Sequence, residues 1–330
     1  MRYITNKSSI NTLMLRFLFT VLLSTFGGIG YAQTYPSQAI KIIVPFGPGG
    51  SSDIVARAFG QYLFTLTGQP VLIENMAGAN GIIATQFVKS ATPDGYTLEL
   101  ATNTTHAANV SLYKSIPYDP MNDFENISPF GISASVAMVS RDSSIKSIAD
   151  LVAYSKANPG KVFFGYYNAA SQITAETFRV RTGAPMTGIG YKAIGNAVSD
   201  LMGGHIQVVF MEFLPAMAQV NGTRLLPLGV TTATRYKLWP NVPAIAETYP
   251  GFDITFHLGL AAPAGTPIPI VNKLHDWVSQ ALADPAFNRK LEELGMLPLP
   301  PMTRKDYINF SAGEIARWSN YVKSSGLVPQ

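Results

Sequence analysis

Read by its apolar positions, the chain alternates short apolar runs with longer stretches of helical period. Residues 40–44 (IKIIV) form a run broken only by Lys41, which predicts a buried strand. Pro45 ends it, and Gly47, Pro48, Gly49 and Gly50 make a loop with no bulky side chain at its apex. Ser51 or Ser52 is then placed to cap a helix, with Asp53 in its first turn and Ile54, Val55, Ala58 and Phe59 on its apolar face. The unit is strand, glycine loop, helix N-terminus. A strand at 71–74, a glycine-rich loop at 75–81, a helix at 82–90, a turn at 93–95 and a strand at 96–100 follow.

Residues 124–140 are a long apolar stretch of weak helix propensity, which reads as a strand crossing from one domain to another. Beyond it the alternation restarts. Helices are predicted at 148–157, 174–181, 194–202 and 214–220, and strands at 162–164, 186–189, 206–211 and 225–230. Residues 254–262 read as a second crossing strand, followed by a turn at 263–267 and three helices at 268–283, 285–294 and 304–324. Strands alternating with helices over short loops argue for parallel sheets covered on both faces. The fold expected is α/β, two domains each with a mainly parallel sheet flanked by helices, joined by two crossing strands into a clamshell. The boundaries expected are 33–134 plus 257–330 for the first domain and 135–256 for the second.

The first 32 residues stand apart. Arg2, Lys7 and Arg16 precede or flank a short apolar core, and Gly30, Tyr31 and Ala32 give small residues where a signal peptidase cuts, which predicts a leader removed after Ala32. The product is expected in the periplasm. No cysteine is present, which excludes disulfides and a lipid-anchoring thiol. Without the leader the chain keeps 21 basic against 20 acidic residues, so no basic stripe remains for phosphates and no nucleic-acid partner is expected. A monomer is expected.

The glycine loop carries the candidate chemistry. Glycines let backbone N–H groups turn outward, and a helix start adds unpaired donors and the positive end of a dipole, so a small anion fits there. An ordinary βα turn, with glycines serving only the bend, is the alternative. Nucleotide loops fail on spacing: after Gly47 and Gly49 the sixth position is Ser52, and no lysine follows Gly50. A carboxylate is the simplest candidate. Residues 103–106 follow the third strand at its carboxyl end, where open α/β sheets bind ligands. His106 is read as supporting a helix start rather than as a base. No G-x-S-x-G elbow and no cysteine nucleophile exist, and His106, His205, His257 and His275 lack metal-ligand spacing, so no catalytic residue, metal or cofactor is expected.

Seven segments together resemble the periplasmic solute-binding receptors of the tripartite tricarboxylate transporter type, including the Bug proteins. They are IIVPFGPGGSSDIVAR at 42–57, ENMAGANGIIATQFV at 74–88, PDGYTL at 93–98, SLYKSIPYDPMNDFENIS at 111–128, GYKAIGNAVSDLMGGHIQ at 190–207, LWPNVPAIAE at 238–247 and GLAAPAGTP at 259–267. The resemblance implies a periplasmic-binding-protein fold that holds a small organic acid between its domains by backbone donors, with membrane transporter subunits as partners. By position it implies first-domain contacts from Phe46, Gly49, Gly50, Ser51 and Asp53, with Asn103, Thr104 and Thr105 facing the second domain. From that second domain it implies Asn168, Ala169 and Ser171 in one loop and Tyr191 and Gly195 in another. Asp200 is expected to fix loop geometry.

Four positions, in three places, depart from the family's pattern. Tyr166 and Tyr167 replace small residues, either as an aromatic wall of the cleft or as the end of a strand. Ala193 stands where a glycine is common. His257 stands where a tryptophan is common, either donating to the ligand or serving as a satisfied hinge residue. The function expected is a carboxylate receptor for uptake or sensing. The alternative is an exported hydrolase-like α/β enzyme acting on a small carboxylate.

Overall fold

Strand β1 (Ile40–Val44) lies where the apolar run places it, with Ile40, Ile42, Ile43 and Val44 wholly buried. The structure is a computed structural model that describes residues 35–222 and 224–330, so the leader at 1–32 lies outside it. Parallel strands β2 (Val71–Asn75) and β3 (Thr97–Thr102) flank β1. Helices α1 (Ser51–Thr67) and α2 (Ile82–Lys89) make the crossovers.

After β3 the chain passes through a π-helical turn at Thr104–Ala108 into the short helix α3 (Asn109–Leu112), and then into β4 (Phe124–Ser140). The middle of the chain supplies α4 (Ile148–Ala157), β5 (Phe163–Tyr166), α5 (Ala169–Thr182), β6 (Thr187–Gly190) and α6 (Ile194–Met202). It continues with β7 (Val208–Glu212), α7 (Phe213–Asn221) and β8 (Leu225–Val230). The return supplies β9 (Thr255–Pro263), α8 (Ile268–Ala283), α9 (Pro285–Glu293), β10 (Leu297–Pro298) and α10 (Arg304–Ser325).

Strand order is β2-β1-β3-β9-β4-β7-β5-β6, with β8 and β10 also paired to β4. One strand joins two sheets. Along Phe124–Ala134, β4 pairs antiparallel with β9, and from Ser135 onward it pairs with β7 and β8. On either side lie the parallel sets, β2, β1 and β3 in one sheet and β6, β5 and β7 in the other. This is the two-domain α/β fold that the alternating pattern predicts.

At the changeover the two passes of the chain are tied by Thr231. Its hydroxyl donates to the Ile254 carbonyl at 2.7 Å and accepts from the Ser135 N–H at 2.9 Å. Helix α10 closes the far side: Trp318 is wholly buried, 5.7 Å from the Phe256 ring, in the same core as Phe164, Phe178 and Phe210.

Two local expectations change. The loop read at 168–171 is the start of α5, five residues earlier than the apolar period suggests. Asn168 accepts the Ser171 N–H at 2.8 Å and the Ser171 hydroxyl accepts the Asn168 N–H at 3.2 Å, a capping box that starts the helix. At α1 the cap is Gly50, with no side-chain bond, so Ser51 and Ser52 are its first two residues.

Candidate ligand-binding site

The glycine loop is held by a ring of polar contacts. Gly49, at φ +85°, donates its N–H to Asp53 Oδ2 at 3.0 Å. Asp53 pairs with Arg57 at 2.9 Å, Arg57 reaches Asn75 at 3.2 Å, and the Asn75 amide returns to the Phe46 carbonyl at 2.9 Å. Burial opposes ionisation of Asp53, but Arg57, the Gly49 N–H and Asn75 outweigh it and hold the carboxyl below its ordinary range. The N–H of Gly49 is thus engaged by the chain's own carboxylate. The α1 N-terminus beyond it stays directed at the cavity.

That cavity lies where the two sheets meet. Phe46, Ser51 and Ser52 line it from the β1–α1 unit, and Thr102, Asn103 and Thr104 from the end of β3. Asn168, Ala170 and Glu212 line it from the second sheet, and Ser133, Phe256, His257, Leu258 and Met296 from the connecting strands and the segment before β10. No lysine or arginine is among these described lining residues. Ser51 is only 6% exposed, and its hydroxyl has no hydrogen-bond partner of good geometry.

Behind the cavity, Asn103 joins three elements. Its amide donates to Glu314 of α10 at 2.8 Å, and its carbonyl oxygen accepts the His257 N–H of β9. His257 Nδ1 stands 3.4 Å from Glu314, and Arg317 pairs with the same carboxylate at 3.0 Å. Burial works against the Glu314 charge, and His257, Arg317 and Asn103 together hold its carboxyl below the ordinary range. His257 thus lines the cavity and also belongs to the network behind it.

On the opposite wall is Glu212, the last residue of β7. Ser51, through its N–H and hydroxyl, and Asn168 face its carboxyl, the Asn168 amide at 3.4 Å. The Tyr167 hydroxyl accepts the Glu212 N–H at 3.3 Å. Burial raises the Glu212 carboxyl above its ordinary range in spite of these donors.

Of the residues singled out in the sequence, Phe46, Ser51, Asn103, Thr104, Asn168 and His257 come together at the cavity. Gly49, Gly50 and Asp53 form the loop that aims Ser51, and Thr105 bonds back to Thr102 one turn behind. Ala169 and Ser171 lie within the first turn of α5. Tyr191 bonds Asp200 at 2.8 Å, as the loop-fixing role requires, and Gly195 is the second residue of α6; neither lines the cavity. Tyr166 ends β5, and Tyr167 supports Glu212 rather than walling the cavity. Sequence reading missed Glu212. A carboxylate ending an apolar run at the carboxyl end of a strand was the available signal.

Among the described residues no cluster of three or more histidine, aspartate or glutamate side chains is arranged to hold a metal ion. None of the described helices is long and apolar enough to cross a membrane.

Two α/β sheets joined through β4, with a cavity at strand carboxyl ends between them, define a solute-binding receptor of the periplasmic-binding-protein class. More specifically, the chain belongs to the tripartite tricarboxylate transporter family of receptors, whose model matches residues 55–327. It is 36% identical over 303 residues to Protein BugT of Bordetella pertussis, covering 89% of this chain and 91% of that protein. The structure is similar to Rpa4515 of R. palustris with adipate, at TM-score 0.86 and 30% identity, covering 90% of this chain and all of that one. It is also similar to MatC of Rhodopseudomonas palustris with bound malate, at TM-score 0.81 and 28% identity over 87% of this chain. The family is one of periplasmic receptors and not of enzymes.

Proposed function

We propose that this chain holds a small organic carboxylate in the cavity and presents it to membrane subunits of the tripartite tricarboxylate type or to a sensing partner. The observation that carries this reading is Ser51. Its N–H heads an α-helix and its hydroxyl is buried; both stand at the cavity facing the Glu212 carboxyl, and no cationic side chain is among the cavity's described lining residues. A carboxylate satisfies such donors through charge-assisted hydrogen bonds. The neighbours solved with adipate and malate support the same ligand chemistry.

The parts proposed to close on the ligand are 33–134 plus 257–330 and 135–256, turning where β4 changes partners between Ala134 and Ser135. The exported protein is proposed to be a monomer beginning at Gln33 after removal of its leader, with no nucleic-acid partner. Its nearly balanced charge supports that last point.

A thermal-shift screen over mono-, di- and amino-carboxylic acids tests the reading. A ligand at 100 times its Kd stabilises by about 2.7 kcal/mol, a clear rise in Tm. The hit should come back chemically unchanged after incubation with the protein. A panel in which no acid raises Tm overturns the receptor reading.

A further inference from the structure

Helix α10 lies across the joint between the two sheets. Its first half rests on β9: the Tyr307 hydroxyl fills the space a Cβ would take at Gly259, and the Phe310 ring packs on His257 at 5.1 Å. Its second half enters the other core, which Trp318 and Val322 share with Phe164 of β5 and Phe178 of α5. Glu314 and Arg317, one turn apart, stand where these halves meet and pair at 3.0 Å.

Each member of that pair has a separate task. Glu314 accepts from Asn103 at 2.8 Å and stands 3.4 Å from His257 Nδ1, and both of those residues line the cavity. Arg317 turns the other way. Its guanidinium donates to the Thr255 hydroxyl and to the Tyr321 hydroxyl, each at 2.6 Å, and Tyr321 donates on to the Asp253 carbonyl. Thr255 lies opposite Ala134 in the β4–β9 ladder, the last pair before β4 changes partners. With Thr231 on Ile254, the returning strand is gripped at three successive residues, 253–255. Neither Arg317 nor Thr255 lines the cavity.

A guanidinium is a rigid planar fork, so Glu314, Thr255 and Tyr321 are satisfied together only at one setting of helix against strand. Turning the sheets about 134–135 and 254–255 moves Thr255 against Glu314 and leaves a half-buried charge short of a partner. The setting that satisfies Arg317 is also the one in which the Thr104 hydroxyl accepts the Ala170 N–H, at 3.4 Å, from the opposite wall of the cavity. Resting on the receptor reading above, we infer that Arg317 is a positioning residue for ligand binding: through Thr255 and Glu314 it holds the two sheets at the angle that closes the cavity. What it sets is the closed fraction, on which apparent affinity depends.

Two substitutions test this without touching the lining. Thr255→Val removes the hydroxyl that Arg317 grips, and Arg317→Met removes the fork while keeping an unbranched stem. The chain has no cysteine, so spin labels at Gln61→Cys in α1 and Lys156→Cys in α4, both exposed, report the distance between the sheets. Calorimetric titration with adipate, malate and the best acid of the thermal-shift screen reads affinity, and melts establish that each variant is folded. Both variants are expected to bind about 2- to 30-fold more weakly, the range for residues that couple to a site without contacting its ligand. Both should also broaden the ligand-free distance distribution, and saturating acid should narrow it again. Arg317→Lys keeps the charge beside Glu314 without the fork and should fall between parent and Arg317→Met. Parental affinity in either folded variant overturns the inference. So does weaker binding with the parent's distance distribution, which would place the effect in the cavity wall alone. If Arg317→Met does not fold, Thr255→Val decides. A parent that binds none of the acids overturns the receptor reading itself.

Discussion

The amide of Asn103 donates to the carboxylate of Glu314 at 2.8 Å, joining residues 211 positions apart in the chain. The same Asn103 accepts the backbone N–H of His257, so one side chain ties the end of β3 to β9 and to α10. Both partners are buried, which makes the loss of one costly for the other. Asn103→Ala is expected to destabilise the protein by about 2–3 kcal/mol, since a hydrogen bond to a charged group is worth about 1.5–3 kcal/mol. Urea unfolding measures it, and a midpoint equal to the parent's would show that the network carries no load.

Thr231 should behave as the pin of the joint. Thr231→Val keeps the shape and removes the hydroxyl, leaving the Ser135 N–H and the Ile254 carbonyl short of a partner. The expected cost is about 1–2 kcal/mol in urea unfolding. Thr231 is not among the residues that line the cavity, so the change leaves those lining side chains as they are. A variant with parental stability would remove Thr231 from the joint.

The two central glycines of the loop should separate cleanly. Gly49 sits at φ +85°, where an L side chain is strained by roughly 1–2 kcal/mol, and its N–H is held by Asp53. Gly50 has an ordinary φ of −81°, and a Cβ there would find nothing nearer than the Gly47 carbonyl at 4.0 Å. Gly49→Ala is therefore expected to lower both stability and ligand affinity, and Gly50→Ala to leave the fold within about 0.5 kcal/mol of the parent. Parallel melts and titrations check the contrast, which fails if Gly50→Ala is the more damaging change.

Stability should follow pH through a buried pair. Glu99 is wholly buried, bonded by Thr85 at 2.8 Å, with His106 Nδ1 3.9 Å away. Burial pushes the Glu99 carboxyl up from 4.5 to about 8. Burial, with the nearby His257, takes the His106 imidazole down from 6.5 to about 3. Taken together the folded pair keeps one proton from about pH 3 to about 8. The unfolded pair holds two protons below 4.5, one up to 6.5 and none above. Stability from this pair therefore rises between pH 3 and 4.5, is level to 6.5, and falls up to pH 8 at about 1.4 kcal/mol per pH unit. Glu99→Gln should abolish the fall above pH 6.5. Urea titrations at closely spaced pH values read the slopes, and a variant that still loses stability across that window would place the titrating group elsewhere.

The order of elements was legible because apolar runs and glycine turns are local signals. β1, α6 and β8 lie within their expected bounds, and the long apolar stretch at 124–140 is β4 to the residue. The helical turns at 104–112 were legible only as a helix start near His106, because Thr104, Thr105 and His106 carry no apolar period there. Their conformation is set by hydroxyl bonds between Thr102 and Thr105 and by the Tyr118 hydroxyl on the Thr105 carbonyl. At the cavity, the residues found in advance, His257 of β9 apart, belong to the segments after β1, β3 and β5, where strand carboxyl ends announce themselves. Glu212, Phe256 and Met296 were not, because what brings them to Ser51 is the meeting of two sheets, which no stretch of sequence encodes by itself.

β3 has β9 as its neighbour, with Glu99 opposite Ala261 and Thr102 opposite Leu258. Everything that builds the other sheet lies between them in the chain. During synthesis, the sheet begun first is therefore the last to be finished. Until residue 263 has emerged, β3 presents an open edge and β4 lacks the partner for its first half. Closing a loop of that length is slow compared with local hairpins and helices. A chain with this topology cannot complete its first sheet until most of its length has been made.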